Sequence, residues 1–315
     1  MNKIYLKFLY LIASLNYPNI RNDYKYFIRD NYFCKTRQLR YYIKDYLKKS
    51  KYKTIEFQGE FDQELRYVLP FAYWHHLNGT LKKTISSKNT KDLYFFSNDH
   101  EERHSKRVWE LGYDNFEIPN MTHNINFSYL KWVRVPLKTQ FKNDIFKYEK
   151  PILIIANKYN LEWDELPINY LSISLLESII NKYSEKYQII YNRPLPSQIV
   201  SDNSEILDLN EYEWLIVNYP QVLLMNNLYL QNIDRVNNFN HLQLLVYANC
   251  EHFISAHGGT AAFASYFEGN NIILSKRGME HELNEFNTIF PSLSGAKIHH
   301  AKTDVAVHDF LEEYY

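Results

Sequence analysis

Beyond residue 150 the chain alternates short unbroken apolar runs with segments whose apolar residues recur every three or four positions. Pro151-Ile152-Leu153-Ile154-Ile155-Ala156 is the first such run. An apolar stretch of that length, with no polar alternation, predicts a strand buried on both faces of a parallel sheet. Ile173, Leu176, Ile179 and Ile180 then fall on one face of a helix over 173–183. The same pattern predicts further strands at 187–191, 222–225, 253–256, 271–275 and 297–301. Helices are expected at 209–217, 240–249, 260–267 and 305–313. Strands that alternate with helices imply right-handed crossovers and a sheet covered on both faces.

Before residue 150 the pattern is weaker. It predicts a helix at 37–48, a strand at 53–57 and a helix at 63–77 that ends near Gly79. Strands at 83–86 and 93–96, a helix at 105–111 closed by Gly112, and a strand at 116–118 complete the reading. A polar, lysine-rich stretch at 138–150 forms the junction. The expectation is therefore α/β, with two Rossmann-like domains facing a cleft, an N-terminal one over 1–147 and a C-terminal one over 148–315. The apolar opening at 1–15 is interrupted by Lys7 and lacks a small-x-small cleavage site, so a folded first element is expected rather than a signal peptide. No apolar run reaches the roughly 18 residues a spanning helix needs. Contact with a membrane surface remains open to the chain.

Composition narrows the function. With 315 residues there is room for two domains, and 36 basic residues balance 36 acidic ones. A protein that grips nucleic acid non-specifically needs a cationic surplus, so nucleic acid is not an expected partner. Only two cysteines, Cys34 and Cys250, are present, which excludes a disulfide framework and a zinc ribbon and fits the cytoplasm. Aromatic residues make up 17% of the chain. That is the composition of an AT-rich genome or of a surface on which sugars stack.

The strongest local motif is Ala256-His257-Gly258-Gly259-Thr260-Ala261-Ala262, where a buried strand gives way to a helix. Two glycines let a ligand approach the backbone, and the helix start offers unpaired N–H groups to a phosphate. Thr260 is placed to cap the helix or donate its hydroxyl. Asn157 and Lys158 follow the first strand of this domain, Arg193 the second, and Lys276 and Arg277 the fifth. All of these ends lie on one edge of a parallel sheet, where ligands of open α/β sheets bind. Glu60 and Asp62 follow a strand in the first half and are candidates for a general base. His100-Glu101-Glu102-Arg103-His104 matches a zinc-peptidase pattern, provided that it lies on a helix. No Gly-x-x-x-x-Gly-Lys-Ser/Thr loop, Gly-x-Gly-x-x-Gly fingerprint or Asp-x-Asp motif is present.

The string from Phe253 to Ala264, with Asn271-Ile272-Ile273-Leu274 after it, resembles the donor-binding region of GT-B glycosyltransferases that build capsules and surface glycans in bacteria and large viruses. The resemblance implies transfer of a sugar from a nucleotide-sugar to a glycan or other hydroxyl acceptor. It implies phosphate contacts from His257, Gly258, Gly259 and Thr260, with Asn157, Lys158, Arg193 and Lys276 nearby. Asp62 or Glu60 would be the base, His257 would assist the leaving group, and neither metal nor other cofactor would be needed. The acidic ribose-binding signature of many such enzymes is missing; Glu280 and Glu282 are the nearest substitutes. A non-catalytic binding protein of the same fold, or a zinc hydrolase using His100 and His104, are the alternatives.

Overall fold

A computed structural model describes residues 3–108, 117–121, 127–163, 165–200 and 205–315. The fold is α/β and rests on two parallel sheets. The first contains β1 (Lys53–Glu56), β2 (Leu81–Ser87) and β3 (His100–His104), in the order β1-β2-β3. The second contains β4 (Ile152–Ala156), β5 (Gln188–Asn192), β6 (Leu223–Leu224), β7 (His252–Ala256), β8 (Asn270–Leu274) and β9 (Lys297–Ala301). Its order is β6-β5-β4-β7-β8-β9, with every pair parallel. This is the doubly wound order, and its direction reverses between β4 and β7.

β4 shows why the apolar run was legible. All five of its residues are buried. Successive side chains point to opposite faces, so Ile152 and Ile154 enter one hydrophobic cluster while Leu153 and Ile155 enter another. The first of these clusters also takes in Ile55, Phe57, Leu65, Val68 and Phe71, so one continuous core joins the two sheets. Side-chain caps mark three helix starts. Ser172 accepts from Leu175 N before Ile173–Tyr183, Asn238 from His241 N before Phe239–Ala248, and Thr303 from Ala306 N before Asp304–Tyr314.

The first half departs from its expected elements in several places. Two helices, Lys3–Asn16 and Asn22–Leu39, precede β1, followed by a π-helical turn at Ile43–Lys48 in place of one helix at 37–48. The helix expected at 63–77 begins at Phe61 and passes through a π-helical stretch, Glu64–Val68. The strand expected at 93–96 is instead a 3-10 turn, Lys91–Tyr94, because hydroxyl bonds from Thr90 to Ser87 O and Ser86 fold the chain back there. Residues 105–108 are not helical, since Arg107 turns inward to bond Gly59 O at 2.9 Å. The remainder of that expected helix, with Gly112, lies outside the described residues, as does Phe116; 117–118 form a turn. In the second half, the helices Met225–Gln231 and Glu285–Ser294 had no sequence forecast. Among the described residues no helix is long and apolar enough to cross a membrane.

Candidate functional site

The reversal point of the second sheet is where the chemistry gathers. β4 and β7 lie side by side, Ala156 opposite Ser255, and each ends in a turn on the same edge. Asn157-Lys158 follows one and His257-Gly258-Gly259-Thr260 the other. Gly258 has φ +90°, a conformation that a side chain would strain, and a Cβ there would stand 3.6 Å from Lys158 Nζ. Gly259 serves a different purpose. A Cβ on it would lie 3.3 Å from the Phe61 ring and 3.7 Å from Asp62 N. The turn therefore packs directly on the start of the 61–77 helix, which brings the Glu60–Asp62 segment and the His-Gly-Gly turn together.

Around that junction lies a buried cluster of charges. Arg66 is fully buried. Its guanidinium engages both oxygens of Asp62, pairs with Glu285, and stands 3.5 Å from Glu280 Oε1. Three carboxylates thus surround one guanidinium. The other Glu280 oxygen lies 3.3 Å from His257 Nε2. His257 Nδ1 bonds Ser275 Oγ at 2.7 Å, and the same Oγ lies 2.6 Å from His281 Nε2. A hydroxyl has one proton, so one of the two imidazoles must donate to it. Burial pushes the His257 pKa down, against the pull of Glu280, and pushes that of His281 down to about 4. Both shifts favour the neutral imidazole. Gly278 completes the arrangement, because a Cβ there would overlap the His257 ring and come within 2.8 Å of Glu280 Oε2.

Several expected ligand contacts are committed elsewhere. Asn157 is fully buried; its amide donates to Leu171 O and Tyr191 OH and accepts from Lys158 N and Leu171 N. Its capacity is spent, so it shapes the turn and does not reach a ligand. Thr260 donates to Ala256 O at 2.6 Å instead of capping the helix. Arg193 is held by Glu211, with Asp208 at 3.4 Å, and Lys276 by Asp304 at 3.0 Å. Lys158 pairs with Glu162 but remains partly exposed. Burial would raise the Glu162 pKa, yet Lys158 and the N–H of Asn169 hold it below its ordinary value. Glu282 accepts from the Tyr24 hydroxyl.

The zinc pattern fails on secondary structure. His100 and His104 lie on β3, so four residues separate them by roughly 13 Å along a strand instead of one helical turn. His100 bonds Thr84 and Ser86, while His104 lies 3.2 Å from Glu56. Among the described residues no group of three or more histidines, cysteines or carboxylates is placed to hold a metal ion.

Sequence reasoning missed Arg66, Glu285, Ser275, His281 and Gly278. A glycine two residues beyond a strand-end cation was the one available signal. It also missed Trp163, whose backbone takes φ +53°. That indole is half exposed, carries the Arg277 guanidinium 5.1 Å from its centroid, and sits 6.4 Å from the His257 ring.

No protein-family model matches the chain, and no curated protein does. Among solved structures, the chain is similar to the ADP-heptose lipopolysaccharide heptosyltransferase II of E. coli. The identity is 10%, with 83% of this chain and 97% of that one covered, at a TM-score of 0.49. It is also similar to the E. coli heptosyltransferase WaaC with ADP, at 12% identity over 89% of this chain and 78% of that one, with a TM-score of 0.36.

Proposed function

We propose that this chain is a glycosyltransferase, moving a sugar from a nucleotide-sugar donor to a glycan or other hydroxyl acceptor without a metal. One observation carries the reading. The glycine turn at the reversal point of the second sheet, where such sheets bind phosphate-bearing ligands, abuts a helix start from the first sheet that carries Asp62 and Arg66. A donor held over one sheet and an acceptor held over the other would meet there. In this division of labour residues 148–315 hold the donor and residues 1–147 the acceptor.

In the proposed step the acceptor oxygen bonds to the anomeric carbon as the bond from that carbon to the donor phosphate breaks. The electron pair leaves with the nucleotide, and the hydroxyl proton passes to Asp62 or, failing that, Glu60. Three carboxylates share Arg66, so taking up one proton brings the cluster nearer neutrality. Charge on the leaving phosphate would be met by the N–H groups at 258–260 and by Lys158, which exchanges its Glu162 partner for the phosphate. His257 lines that turn, and its Nε2–H would exchange Glu280 for the same phosphate. The exposed face of Trp163 suits a nucleobase or a sugar.

Thermal melting against a panel of nucleoside mono- and diphosphates, then nucleotide release from nucleotide-sugars in excess EDTA, tests the reading. At least one nucleotide should raise the melting temperature, since a ligand that binds only the folded state stabilises it, and release should persist in EDTA. A donor that binds and is never turned over would make the chain a binding protein of the same fold. Activity lost in EDTA and restored by a divalent ion would overturn metal independence.

A further inference from the structure

We propose that the N-terminal helical layer, residues 3–51, docks on an anionic lipid surface. This goes beyond the transferase reading and does not rest on it. Helix Lys3–Asn16 contains no acidic residue and is apolar nearly all round. Leu9 and Ala13 are buried on one side. Ile4, Phe8, Leu11 and Leu15 recur at helical spacing on another and stand 78%, 56%, 56% and 71% exposed. A helix that is apolar on both sides needs a second apolar medium.

The segment after the next helix repeats the feature and adds charge. Leu39, Ile43 and Leu47 are 71%, 57% and 70% exposed. Lys35, Arg40, Lys44, Lys48, Lys49 and Lys51 surround them, all exposed. Between residues 31 and 55 the only acid is Asp45, which is buried against Lys131. Among the described residues no carboxylate lies within ion-pair distance of those six cations. The chain as a whole has no net charge, so this patch is a local surplus. Exposed leucines among lysines and arginines suit a bilayer interface with acidic headgroups, the leucines entering the acyl boundary and the cations reaching the phosphates. No described helix is long and apolar enough to span, so the layer would lie on the surface. The Tyr24 hydroxyl in this layer bonds Glu282, two residues along the chain from Glu280.

The test is flotation of the full chain with vesicles of pure phosphatidylcholine and of phosphatidylcholine mixed with phosphatidylglycerol. Binding is expected to the mixed vesicles alone and to weaken with salt. Lys44→Glu/Lys48→Glu/Lys49→Glu should reduce it tenfold or more, and so should Leu39→Asn/Ile43→Asn/Leu47→Asn. Both variants should melt like the parent, because the changed side chains are exposed. Equal binding to both vesicle types, or unchanged binding by both variants, would overturn the proposal. A dimer in light scattering that the leucine variant dissociates would overturn it too, by making the stripe a subunit interface.

Discussion

The two sheets are held by different means. Around β4 and β7 the interior is apolar, and Leu153, Ile154, Ile155, Phe253 and Ile254 are all buried, the buried pair of Arg193 with Glu211 lying past the end of β5. Around the first sheet the interior is full of paired charges: Asp45 with Lys131, Lys53 with Glu117, Glu64 with Arg107, and Arg66 with its three carboxylates. An aliphatic core tolerates loss of one contact in proportion to the volume lost. A charged core does not, because removing one partner leaves the other buried and unpaired. The second sheet is therefore built to be robust, and the first to hold specific groups in fixed positions.

Four measurements would break or sharpen this contrast. Arg66→Ala should have the largest effect, since it strands three carboxylates. A loss of about 3–5 kcal/mol is expected for a broken buried pair, read by urea denaturation, and a loss below about 1 kcal/mol would mean that water already reaches the cluster. Ile154→Ala in the aliphatic core should cost about 2–5 kcal/mol. Neither cost should change much with salt, because salt screens buried charges little, and a strong salt dependence for Arg66→Ala would mean that water reaches the cluster. Gly259→Val drives a branched side chain into Phe61, and overpacking of this kind costs about 1–3 kcal/mol. In a protein that still folds, the same change should abolish any nucleotide-induced rise in melting temperature. Retained nucleotide response would separate the Gly259–Phe61 contact from the ligand site.

The last test concerns pH. Burial pushes the pKa of His75 down to about 2 and that of His281 down to about 4, from an ordinary value of 6.5. The unfolded chain then binds more protons than the folded one below pH 6.5. Stability is full above that value and falls as the pH drops towards 4. Melting temperatures measured across this range should decline, and His75→Gln, which keeps a polar partner for Thr80, should flatten the decline. An unchanged slope would show that His75 is protonated in the fold.

The same contrast governs what could be read in advance. The helix over 173–183 and β4 fall where the spacing put them, because aliphatic periodicity and burial are one signal. The His-Gly-Gly turn was legible because few glycines are spent on this chain and two of them are adjacent. The charged core was opaque. In Glu64-Leu65-Arg66-Tyr67 nothing distinguishes a buried arginine from a solvated one, and the Glu285 that neutralises it lies 219 residues away. His100 and His104 misled for a related reason, since a five-residue motif does not reveal whether it lies on a helix or a strand. Trp163 was invisible because its importance rests on a turn that brings it beside His257.

The register of the central strand has a consequence for how the chain assembles during synthesis. β4 needs two neighbours, β5 and β7, and pairs Ile154 with Ile190 on one side and with Phe253 on the other. At typical translation rates, β5 emerges within seconds of β4, while β7 follows after about 5–20 s. Throughout that interval one edge of the most apolar strand in the molecule is unpaired, and such an edge recruits strands from other chains. The crevice in which we place the donor closes only when β7 arrives, so the binding site is also the seam at which nascent chains are most exposed to misassembly. Slow elongation between residues 192 and 252 would lengthen that exposure, and a chaperone acting on this chain would have its main work there.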